Sequence, residues 1–69
     1  MDELEVIQSY GAMTAPEIAV LTNRNRIASW RSITFFIKTG DVHQVEIREG
    51  KIKHVLYIEN AIYKDIFQD

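Results

Sequence analysis

Cysteine is missing from the sequence altogether, and proline and tryptophan occur once each. Without thiols there is no disulfide framework and no thiolate metal site. Such a chain is indifferent to redox conditions, which fits a reducing compartment. No run approaches the about eighteen apolar residues that a membrane span needs, and the opening residues MDELEVIQ are acidic where a secretory signal is basic. The expectation is a cytoplasmic protein with no membrane partner. A Ser-His-Asp order, a glycine-rich phosphate loop and a cluster of metal ligands are also missing, and 69 residues leave no room for a deep pocket. These absences predict no enzyme, no small-molecule substrate, no cofactor and no bound metal.

A more local absence says most. Residues 23–40, NRNRIASWRSITFFIKTG, hold Arg24, Arg26, Arg31 and Lys38 and not one Asp or Glu. Residues 1–21 carry four acids and no base, residues 22–40 four bases and no acid, and residues 41–69 six acids against four bases, within a formal net charge of −2. A phosphate-binding surface needs local positive potential and not a basic chain, so the overall charge argues only weakly against nucleic acid.

A hydrophobic share of 46% with 26% charged residues is that of a globular domain. The length predicts one domain over residues 1–69. A chain of this size buries only about 60% of the surface that its unfolded form exposes, so its stability margin is thin and association is one remedy.

Residues 2–10 place Leu4, Val6, Ile7 and Tyr10 at helical spacing, with acids in the first turn where the helix dipole favours them, and Gly11 as the stop. Thr14, Pro16 and Glu17 form a capping-box signature for a second helix from Ala15 to about Thr22, with Ile18, Ala19 and Leu21 as its apolar face and Asn23 suited to the left-handed end. Asn25 caps a third helix, in which Ile27, Trp30, Ile33, Phe36 and Ile37 recur at three- and four-residue steps up to Gly40. On the wheel these five occupy one half and are the expected core, Trp30 included. Arg24, Ala28, Arg31, Ser32, Phe35 and Lys38 fall mainly on the other half. The period then drops to two, and a hairpin over about 42–58 turns at the REGK of residues 48–51. Asn60 is read as the cap of a short C-terminal helix, AIYKDIFQ.

The order of elements, and the run TAPEIAVLTNRNRIASWRSITFFIKTGDV, resemble the winged helix-turn-helix family of DNA-binding domains. The likeness rests on Thr14, Pro16, Glu17, Ile18, Ala19 and Leu21 in helix two, Asn23 in the turn, Asn25 as cap, and Gly40 followed by Val42. Arg24 and Ser29 take positions where that family commonly has apolar residues. The resemblance implies an α+β winged helix, with a three-helix core, a two-stranded β-hairpin wing and a short C-terminal helix. It also implies a small transcriptional regulator of prokaryotic, archaeal or viral type. Helix 25–39 would enter the major groove of double-stranded DNA, which is about 12 Å wide and admits an α-helix.

The candidate DNA-binding residues are Thr14, Arg24, Asn25, Arg26, Arg31 and Ser32 around helix three, and Arg48, Lys51 and Lys53 in the hairpin. Arg26 has a competing use, an ion pair with a carboxylate of helix one. Lys38 suits the negative end of its helix dipole better than DNA, and the hairpin cations are equally explained as solvated strand charge that discourages edge pairing. His43 and His54 are read as possible neighbours across the hairpin. Ile62, Tyr63, Ile66 and Phe67 give the last helix a large apolar face, which predicts a homodimer through that helix. The alternative reading of the whole is a winged-helix module that binds protein within a larger complex, where aromatic and arginine side chains suit an interface centre.

Overall fold

A computed structural model of the chain describes residues 1–67. It is α+β, in the order α1 (Glu3–Tyr10), α2 (Ala15–Thr22), α3 (Arg26–Thr39), β1 (Val42–Glu49), β2 (Ile52–Glu59) and α4 (Asn60–Phe67). Gln68, the last residue of the expected C-terminal helix, lies outside the described residues.

Each of the first three helices starts where a side chain meets its orphan N–H groups. Asp2 accepts from the Glu5 N–H at 2.8 Å while Glu5 Oε1 accepts from the Asp2 N–H at 3.3 Å, a capping box that the sequence reading had not identified. The expected box on α2 is present, with Glu17 Oε1 accepting from the Thr14 N–H at 3.0 Å. Asn25 Oδ1 accepts from the Ala28 N–H at 2.8 Å to start α3. Asn23 ends α2 at φ 57° and Gly40 ends α3 at φ 86°, both left-handed.

The hairpin pairs Glu49 with Ile52 across a two-residue turn, Gly50–Lys51. Positive φ at Gly50 but not at Lys51 is the type II′ pattern, whose twist matches that of the strands. Met13, in the link between α1 and α2, bonds to Tyr57 in both directions at 3.1 and 2.8 Å and so anchors the hairpin to the helices. His43 pairs with Ile58 and His54 with Ile47, so the two imidazoles are not cross-strand neighbours. The register had not been fixed by the sequence, because it depends on which two residues form the turn.

Val6, Ile7, Met13, Ile18, Ile33, Val42 and Tyr57 form the core, with Leu4, Phe36, Ile37 and Val55 packed around it. The expected inner face of α3 is wrong in its first half. Trp30 is 46% exposed and Ile27 68% exposed, while Ser29 is buried. The inward set is 29, 33, 36 and 37, and Ile27 lies about 120° round the helix from Ile33. Ser29 and Ala19 are both buried and small, so α3 docks through the narrow stripe and not through the bulkier one. Trp30 is left at the margin, edge-on to Tyr57 with ring centres 6.0 Å apart.

Beyond Val45 the hairpin projects past the helices, which leaves Ile47 and Ile52 exposed. The α4 helix folds back on the hairpin base. Tyr63 stacks on His43 at 3.9 Å, and His43 Nε2 lies 2.8 Å from Asn60 Oδ1. Asn60 is therefore the first helical residue with its side chain on His43, and not the expected cap. Ile62 and Tyr63 are half-buried, whereas Ile66 and Phe67 remain exposed. Among the described residues no helix is long and apolar enough to cross a membrane.

Candidate nucleic-acid interface

The cationic segment begins in the tight link between α2 and α3. The left-handed Asn23 turns the chain, and the Arg24 N–H donates to the Ala19 carbonyl at 3.2 Å. This holds Arg24 beside the first turn of α1, where its Nη1 lies 3.5 Å from Glu3 Oε1 and donates to Ser32 Oγ at 3.4 Å. The sequence had offered an ion pair with helix one to Arg26; it belongs to Arg24. Glu3 is fully buried, and neither of its oxygens has a hydrogen-bond partner among the described residues, so Arg24 is its one source of charge compensation there.

Two other candidates are also engaged within the chain. Ser32 is half-buried, with its hydroxyl on Arg24. The Thr14 hydroxyl donates to Glu17 Oε1 at 2.8 Å and accepts from the Glu17 N–H at 3.5 Å. The Thr14 N–H and then its hydroxyl, both donating to Glu17 Oε1, hold the exposed Glu17 carboxyl below its ordinary value. Asn25 caps α3 with its oxygen.

Arg26 and Arg31 differ from these. Both are exposed, and among the described residues neither makes an ion pair. They border one shallow notch with Asn25, Ile27 and Ala28. A second notch on the other side of Ile27 is lined by Ala15, Arg26, Ser29 and Trp30. Ile27 is thus an apolar ridge between two hollows, edged by arginine.

In the hairpin Arg48 stands directly opposite Lys53, and Lys51 sits in the turn, so three cations gather at the tip. Like charges opposed across a strand pair are unfavourable, and part of that repulsion is relieved where Lys53 meets Glu46 at 3.4 Å. Both partners are about half exposed, so the pair contributes little to stability. Lys38 lies in the last turn of α3, the position that suits a cation. Burial pushes the Tyr57 phenol up, on the side where β2 meets Thr14, Ala15 and Pro16.

The nine candidates therefore separate. Asn25, Arg26 and Arg31 border one notch at the start of α3; Arg48, Lys51 and Lys53 share the hairpin tip; Thr14, Arg24 and Ser32 are engaged in holding the helices. Sequence reasoning missed Glu3 and the outward Ile27 and Trp30. For the latter pair the available signal was Ser29, four residues before Ile33 in a helix. Comparison with family models, characterised proteins and solved structures gives no match to this chain.

Proposed function

We propose that the chain is a winged helix-turn-helix DNA-binding module acting as a transcriptional regulator, with α3 in the major groove and the hairpin as the wing. The observation that carries the reading is Arg31. It stands exposed on the outer side of α3, clear of every described carboxylate, in a segment with no acid of its own. Arg26 beside it and the Arg48–Lys53 tip supply phosphate contacts on either flank. Affinity from such contacts is largely counterion release, so it falls with salt by about 0.9 logarithmic units per phosphate per tenfold rise.

The exposed Ile66 and Phe67 on α4 support a two-fold dimer, which would present two copies of α3 to half-sites one DNA turn apart. The second reading is a module that binds an acidic protein, and the exposed Trp30 and Phe35 favour it.

Mobility shift on a random duplex pool, followed by a salt series, separates the two. The DNA reading expects binding at low salt, a steep slope, and a loss of about 1–3 kcal/mol in Arg31→Ala on the selected duplex. No duplex binding at low salt would reject it.

A further inference from the structure

Resting on the DNA-binding reading, we infer that Ile27 packs on the 5-methyl group of a thymine that lies one or two base-pair steps from a guanine held by Arg31. The first half of α3 has its polarity reversed. The hydroxyl of Ser29 is buried there without a hydrogen-bond partner, while a β-branched apolar side chain stands 68% exposed. So exposed an isoleucine adds little to the packing of this chain, and its branching slightly disfavours the helix. Its position makes sense when another molecule covers it.

The charge around Ile27 selects that molecule. Residues 22–40 carry four bases and no acid, and Arg26 and Arg31, on either side of the ridge, have no ion partner among the described residues. The covering surface is therefore anionic, with a small apolar feature set among hydrogen-bond acceptors. In the major groove the thymine methyl is the apolar group of the base-pair code, and guanine O6 and N7 are the acceptors that an arginine meets in bidentate fashion. Ile27 also falls in the first turn of α3, the part of a groove-bound helix that meets base edges. Arg31 is four residues on, about 6 Å along the helix axis. With base pairs stacked about 3.4 Å apart, the two side chains reach positions one or two steps apart. Ala28, between them on the notch, is small enough to let the bases approach.

Duplexes bound from a random pool are sequenced, and each thymine of the selected duplex is replaced singly by deoxyuridine, which removes only the methyl. Fluorescence anisotropy is read for the wild-type chain and for Ile27→Ala, whose fold is checked by circular dichroism. The expected result is one or two positions where deoxyuridine weakens binding about fourfold, which corresponds to about 0.8 kcal/mol for one buried methyl-sized group. That loss should vanish in Ile27→Ala, and a guanine should lie within two steps. If the duplex is bound but no deoxyuridine changes affinity by more than about twofold, or if the variant keeps the discrimination, the inference fails while the DNA-binding reading survives. If no duplex is bound at low salt, both fail. A variant that instead loses self-association makes the ridge a protein contact and also overturns the inference.

Discussion

Arg24→Ala should be among the most damaging exposed-site substitutions in the chain, although the arginine sits in a turn and is half in water. Its Nη1 lies 3.5 Å from Glu3 Oε1, with the arginine side chain 45% exposed and the glutamate fully buried. At that separation two unit charges attract by about 5 kcal/mol for an effective dielectric of about 20. Most of this offsets the cost of taking Glu3 out of water, so the net worth of the pair is small. Removing one partner is a different matter, because Glu3 then keeps a buried charge with no hydrogen bond to either oxygen. Breaking a fully buried pair costs about 3–5 kcal/mol, and the exposure of Arg24 lets water reach part of the gap, so about 2–3 kcal/mol is expected. For a domain of this size that is a fall of about 10–20 °C in Tm. Glu3→Gln removes the charge and keeps the shape, and should be neutral or stabilising. In that background Arg24→Ala should cost less than about 1 kcal/mol, which gives a coupling of about 1.5 kcal/mol in a double-mutant cycle measured by urea denaturation. Equal costs of Arg24→Ala in the two backgrounds would refute the reasoning.

Ser29→Ala removes a buried hydroxyl that has no partner and improves helix propensity, so it should stabilise by about 0.5–1.5 kcal/mol; a lower urea midpoint for the variant contradicts this. Glu17 has its folded pKa lowered, so its contribution is present above the unfolded value of about 4.3 and is lost as pH falls through the folded one. The Tm gap between wild type and Glu17→Gln should accordingly be widest near neutrality and narrow below about pH 4, and a constant gap counts against the capping role. Ile66→Asp, at a position 64% exposed, should leave the circular dichroism intact and shift sedimentation to the monomer; an unchanged sedimentation profile removes α4 as the dimer contact.

The boundaries of the elements were legible wherever a local rule sets them. Thr14 with Glu17, Asn23, Asn25 and Gly40 each act within a few residues of themselves, and all lie where the structure begins or ends a helix. The hairpin was equally local, given Gly50 between two alternating runs. The inner face of α3 was not, because the sequence offers two stripes. The first, Ile27, Trp30, Ile33, Phe36 and Ile37, is the more apolar, while the second keeps the last three and replaces the first two by Ser29. Hydrophobic count favours the first, but close approach of α3 to Ala19 favours the small residue, and that is a property of the packed helices and not of either one alone. Glu3 was illegible for the same reason. Its burial is acceptable only because Arg24, 21 positions later, is brought alongside it by the turn between α2 and α3.

Those failures of local reasoning share a location. In the second half of α3 Ile33, Phe36 and Ile37 turn inward and Lys38 outward, as an amphipathic helix should. In the first half and the turn before it, Glu3 and Ser29 are buried beneath while Ile27 and Trp30 stand in solvent above. A buried carboxylate in α1 and an exposed isoleucine in α3 are each unfavourable for a chain with so small a core. Departures of this kind concentrate where a surface is shaped for something other than its own fold. The Glu3–Arg24 pair ties the link before α3 to α1, two residues ahead of Arg26 and three ahead of Ile27. The buried Glu3 and Ser29 and the exposed Ile27 and Trp30 thus lie at the same end of α3, which is the end where hydrophobic periodicity alone fails to predict the packing.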